Sequence, residues 1–261
     1  MASTTIGNNA KYTLLSDKIR VGSSVLYRIK ALKDFGSVKE GDIGGYIESE
    51  NNLSFDEGDT SWVYDNAMVF ESALVSNNAS VKGYAKIFGS ARISDDAAVG
   101  GNATVLNNAT VSDSAYIFGN ASLTDNARVY GCSMVFGSAR IFGNGEVYGS
   151  AEVFGSAWIY DHAQVYENAK VFGEVQIFGN AWVHGIVKVF ESIRIYGNVD
   201  MYDDIEVYGN GWFNGDDKVH WDHRVYDNTQ FVGNGRLCNL LYNYIDGRFN
   251  RPSLKGDIDN G

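Results

Sequence analysis

A period of six constrains this chain more than any other feature. Every sixth residue from Val63 to Leu237 is apolar, through Val69, Val75, Val81, Ile87, Ile93 and Val99 and on to Ile195, Met201, Phe213, Val219, Val225 and Phe231, giving 30 consecutive hexads with no residue inserted. Four residues after each aliphatic position stands a small residue, Ala from Ala67 to Ala127 and mostly Ala again from Ala139 to Ala181, until Val187, Ile193, Val199 and Ile205 replace it. Two residues after the aliphatic position comes Gly, Asn, Asp or Glu in almost every hexad. Of these, Gly, Asn and Asp tolerate the left-handed backbone of a tight corner.

Such a pattern fits neither an amphipathic helix, with its period of 3.6, nor a long strand, with its period of 2. It predicts a short strand and a corner in each hexad, so that three hexads close one triangular coil and successive coils stack by parallel pairing. Residues one such coil apart support this independently, since like follows like at the position after the aliphatic one. One side reads Phe118, Phe136, Phe154, Phe172, Phe190, Tyr208 and Tyr226. A second reads Ser76, Ser94, Ser112, Tyr130, Tyr148, Tyr166, His184 and Tyr202, and a third Phe142, Tyr160, Phe178 and Tyr196.

The expected fold is therefore all-β, a single parallel solenoid of about ten triangular coils over residues 61–238, roughly 50 Å long at ~4.8 Å per coil. Open ends of such a stack expose unpaired strand edges and need covers. Residues 1–60 are read as a small β cap, with strands at Tyr12-Thr13-Leu14-Leu15 and Val25-Leu26-Tyr27-Arg28-Ile29, and residues 239–261 as a C-terminal cap and tail containing the only proline, Pro252. The stack also places Cys132 and Cys238 nearly six coils apart, roughly 28 Å along the axis, which excludes a disulfide within one chain.

The hexads VFGSARIFGNGEVYGSAEVFGSA and ATVLNNATVSDSA resemble the hexapeptide repeat of left-handed parallel β-helices. The stretch from Ala31 to Phe70, ALKDFGSVKEGDIGGYIESENNLSFDEGDTSWVYDNAMVF, is similar to the opening of YdcK-type hexapeptide-repeat proteins and of related phage and prophage proteins. The resemblance implies left-handed coiling and common assembly as trimers. It leaves function open, because the repeat serves acyltransferases, carbonic anhydrases, ice-binding proteins and inert scaffolds.

Composition narrows the choice. With 21 basic and 32 acidic residues the formal charge is −11, the opposite of a polyanion-binding groove, so nucleic acid is not an expected partner. The first residues, MASTTIGNNAKYTLL, have neither a basic n-region nor an apolar h-region, and nowhere is there an apolar run long enough to span a membrane. A cytoplasmic protein without membrane contact is expected, in the host's cytoplasm if phage-encoded. No regular Thr ladder follows Thr104 and Thr110, which removes the ice-binding reading.

No loop is extruded between coils, so an acyltransferase site would have to form between subunits, with His162 of the YDHAQ turn as its candidate base. His220, Trp221, Asp222 and His223 interrupt the repeat and form a second candidate patch, though three adjacent ligands fall short of an ordinary zinc set. No metal or other cofactor is expected. The main reading is a binding or assembly module, working through outward aromatic stripes: Tyr130, Phe136, Phe142, Tyr148, Phe154, Trp158, Tyr160, Tyr166, Phe172, Phe178 and Trp182. Apolar stripes on all three sides predict burial between copies, as a homo-trimer or dimer, or against a protein partner such as a host defence protein. Glycan binding by a phage structural protein and an intersubunit acyl-CoA site are the alternatives. The acidic run from Asp200 to Asp227 adds the idea of a DNA-like or basic-site-filling end.

Overall fold

The computed structural model describes residues 9–216, 218–220, 224–225 and 230–233. Among the described residues three sheets of 13, 10 and 9 strands wrap one axis, parallel through the coils and antiparallel only in the N-terminal cap. Their registers repeat every three hexads, for example Ala98 on Tyr116, Thr104 on Ser122 and Thr110 on Arg128. The expected three-sided solenoid of about ten turns is therefore the observed fold. The sheets are named below for what they carry: the cap side, which includes Met68–Val69; the phenylalanine side, which starts at Trp62–Val63; and the tyrosine side, which starts at Leu74–Val75.

Most coil strands hold two residues, one outward and one inward. The inward Val, Ile or Leu and the small residue four positions on are both buried, from Val63 and Ala67 to Val207. These side chains form one continuous core along the axis. Alanine leaves room for the chain to turn. Where Val175, Val187, Ile193, Val199 and Ile205 take its place they are buried just as completely. Just past the Glu191 and Gly209 corners, where Ile193 and Gly211 stand, the strands lengthen to Ser192–Gly197 and Asn210–Gly215.

The corner residue two after each inward aliphatic has positive φ, whether Gly, Asn, Asp or Glu. Gly89 shows why the smallest residue is used so often: a Cβ there would lie 2.6 Å from the amide nitrogen of Asn107 in the next coil. The corner amides take no part in the coil-to-coil backbone ladder. Carboxylates one coil earlier accept from them instead: Asp65 from Gly83 at 2.9 Å, Glu71 from Gly89 at 2.9 Å, Asp113 from Gly131 at 2.9 Å, and likewise Asp95, Asp125 and Asp161. The acidic excess thus has a structural use. Side-chain amides extend it, as in the run Asn108, Asn126 and Asn144.

The cap is a hairpin of β1 (Tyr12–Val21) and β2 (Ser24–Ala31), followed by β3 (Ile43–Ile47), all in the cap-side sheet. β3 pairs antiparallel with β2 and parallel with Met68–Val69, so it is the strand at which the chain enters the coil. Ile47 already lies beneath Val69 and Leu53 beneath Val75, each four positions further along the chain than one regular coil, whereas Trp62 lies beneath Ser80 in the regular register. The extra stretch bulges between Ser54 and Thr60, where the Asp59 amide donates to the Asp56 carbonyl.

That bulge holds a buried ion pair. Lys11 Nζ lies 2.6 Å from Asp59 Oδ1 and also donates to the Ser54 carbonyl at 2.8 Å. Burial lowers the Lys11 pKa despite its partner. For Asp59 burial acts upward, but hydrogen bonds from Lys11, Ser61 and Ser54 outweigh it and leave the carboxyl below its ordinary value. Trp62 closes the bottom of the core, edge-on to Tyr12 and Phe35. Arg28 lies 4.1 Å over the Tyr46 ring and donates to the carbonyls of Gly44 and Asp65, tying the hairpin to the first corner. Cys132 is free and exposed, and Cys238 lies outside the described residues.

Removing one member of the buried pair, as in Lys11→Met, strands the other charge and should cost about 3–5 kcal/mol in chemical unfolding, with Lys11→Met/Asp59→Leu costing less. Asp95 and Asp125 are held below their ordinary 3.8, first by the corner amides of Asp113 and Gly143. A carboxyl whose folded pKa is depressed favours the folded chain above its unfolded value and loses that contribution as pH falls. The melting temperature should therefore hold above about pH 5 and drop as pH falls below 3.8. In Asp95→Asn/Asp125→Asn that acid-induced drop should be smaller.

Candidate functional site

The stacked aromatics follow the two-residue strands. On the phenylalanine side Phe118, Phe136, Phe154, Phe172 and Phe190 lie face to face at 4.6–4.8 Å, close to the strand spacing itself. On the cap side Phe142, Tyr160, Phe178 and Tyr196 do the same, and on the tyrosine side Tyr130, Tyr148 and Tyr166. Each ring covers the faces of its neighbours, so these residues are half-buried within one chain. Trp158 is half-buried as well, with the Arg140 guanidinium 5.4 Å from its ring. Of the eleven residues expected to present aromatic stripes, Trp182 alone is exposed, at 45%. The sequence pattern found the ladders but overstated the apolar surface they offer.

His162 is exposed on a corner, and its side chain makes no hydrogen bond or ion pair among the described residues. His220 contributes backbone to the strand Lys218–His220, its side chain lying outside the described residues together with Trp221, Asp222 and His223. Among the described residues no three His, Cys, Asp or Glu side chains converge as metal ligands.

The side chains that do come together lie on the tyrosine side, around a histidine that the sequence shows only as one member of a ladder. His184 is sandwiched between Tyr166 at 4.5 Å and Tyr202 at 5.5 Å. Its Nε2 shares a hydrogen bond with Asp200 Oδ1 at 3.0 Å, and its Nδ1 lies 3.8 Å from Glu167 Oε2. Asp200 also faces Lys218 Nζ at 4.0 Å. Beside the ring opens a cleft of about 630 Å³ lined by Glu167, His184, Gly185, Ile186, Tyr202, Asp203 and Asp204.

Four coil-to-coil series change at this corner. Tyr130 and Tyr148 place their hydroxyls on Glu146 and Gln164, but the residue in that relation to Tyr166 is Trp182, and the Tyr166 hydroxyl goes unpaired among the described residues. Burial, followed by the charges of Tyr148, Asp200 and Glu167, pushes the Tyr166 phenol up to about 12. His184 replaces a tyrosine. Ile186, 54% exposed, stands at a turn position occupied mostly by Asn, Ser or Asp. Glu167 turns toward His184 instead of taking the next corner amide as Glu71 does. These substitutions were readable as exceptions within the coil-to-coil series; the cleft they make was not.

His184 is thus fixed by rings on both faces and by carboxylates at both ring nitrogens, Asp200 at 3.0 Å and Glu167 at 3.8 Å. His184→Ala removes two ring contacts worth ~0.5–1.5 kcal/mol each and should lower stability in urea unfolding by about 1–3 kcal/mol. His162→Ala, at a surface corner, should change it by less than about 0.5 kcal/mol.

Compared as a whole, the sequence matches no protein-family model and no curated protein.

Proposed function

We propose that the chain is a rigid, non-enzymatic protein-binding rod that docks a partner on its tyrosine side. The supporting observation is the joint exposure of Trp182 and Ile186 on either side of His184, on a solenoid whose ladder rings are half-buried by stacking and whose other exposed aromatics among the described residues, Tyr84 and Tyr116, stand apart from this corner. An exposed tryptophan on rigid backbone, rimmed by polar groups, has the make-up of an interface anchor. The fixed coil register gives such a surface little freedom to relax, so little ordering entropy opposes binding. The hexad motifs and the resemblance to YdcK-type and phage-encoded proteins support a left-handed coil and a partner in a host cytoplasm.

Self-association is a second reading, favoured by the phenylalanine side. There the Phe ladder from Phe118 to Phe190 runs beside Tyr116, 45% exposed, and Met134. Two copies packed on that side would cover ring edges that stacking leaves open. Light scattering at micromolar concentration should then give a dimer or trimer mass, and Tyr116→Lys/Met134→Lys should return it to monomer. A monomeric wild type refutes self-association. Acetyl-CoA binding by calorimetry, lost in His162→Ala or His184→Ala, would contradict the non-enzymatic reading.

A further inference from the structure

We infer that the cleft beside His184 receives an arginine side chain of the protein partner; this rests on the binding-rod reading and narrows it. The corner series Glu167, Gly185, Asp203 explains the cleft's form. Gly185 has φ +79, and a Cβ on it would meet the Asp203 backbone at 2.8 Å, so the corner carries no side chain between two acidic ones. Above and below that gap stand Glu167 and Asp203, and Asp204 and Ile186 line the opening.

The charges around the cleft are unevenly committed. Among the described residues, the cationic or protonatable groups Lys218 and His184 both face Asp200, and His184 approaches Glu167 at 3.8 Å. Asp204 has no hydrogen bond or ion pair among the described residues. The opening therefore offers the Glu167 and Asp204 carboxylates, the His184 ring and an exposed Ile186 side chain in one place. An arginine matches all three: its planar fork of donors fits carboxylates, its flat face packs on aromatic rings, and its methylene stem covers an aliphatic side chain. Lysine offers only a strongly hydrated point charge, and an anionic ligand would be repelled. The Trp182 indole, exposed two residues before His184 on the strand Trp182–Val183, has no ring or cation against it among the described residues and would meet the rest of the partner's segment.

The test titrates the full chain with a blocked tetra-arginine peptide, with tetra-lysine and tetra-citrulline as comparisons, at physiological salt, following heat and the Ile186 methyl signal in NMR. Tetra-arginine should bind at least several-fold tighter than tetra-lysine, citrulline should not bind, and the Ile186 methyl should shift. Glu167→Gln/Asp204→Asn should weaken binding tenfold or more, while Glu40→Gln/Glu57→Gln, which removes the same charge from the cap, should leave it unchanged. Melting curves of both variants check that the fold is intact. Equal weakening by the two variants, or an unmoved Ile186 methyl, means diffuse charge attraction and overturns the inference. Should tetra-arginine fail to bind while Trp182→Glu still abolishes docking of a partner, the arginine assignment falls and the binding-rod reading stands.

Discussion

The structure depends on the backbone hydrogen bonds that join amides of one coil to carbonyls of the next. They run as Phe118 to Val135, Arg140 to Ala157 and Trp182 to Val199, at 2.7–3.0 Å, and pass over the positive-φ corner amides. Because every coil must present its donors at the same height as the last, an inserted or deleted residue would break the ladder on all three sides. The expansion that is tolerated lies in the first coil, where the bulge between Ser54 and Thr60 is closed by the Lys11–Asp59 pair. Proline, with no donor, appears only once, at Pro252.

The left-handed corner is the point the ladder passes over, and at several corners a carboxylate from the preceding coil takes up its amide. Asp65, Glu71 and Asp113 each accept from the corner amide of the following coil. Charge that could pass for a surface property is thus partly a hydrogen-bonding component of the fold. The same regularity stacks identical rings at the strand spacing, so a solenoid of this kind can carry many aromatic residues while covering much of their area itself. Against so regular a scaffold, departures from the series such as Trp182, His184 and Ile186 stand out, and the proposed docking surface is built on them.

The coil was legible in the sequence because one rule holds for 30 hexads, and an apolar residue at every sixth position fits neither a helix nor a long strand. The aromatic ladders were equally visible as series. Their burial was not, since a ring's exposure depends on the ring above it and on how nearly parallel the two lie, 5° for Phe136 and Phe154. The longer first coil was hidden because Phe55 to Gly58 displace Ile47 and Leu53 from the six-residue count. His184 looked like one more ring in a ladder; its carboxylate neighbours, Glu167 and Asp200, stand nearly a full coil before and after it, and only the winding of the chain brings them together.

Docking of a protein partner on the tyrosine side, at Trp182 and Ile186, is tested most directly by placing a photo-crosslinking amino acid at position 186 and, separately, at position 162, and irradiating the chain in the cells where it is made. The binding-rod reading predicts a discrete protein adduct at 186 and none at 162. Adducts at both positions alike, or at 162 alone, would contradict it.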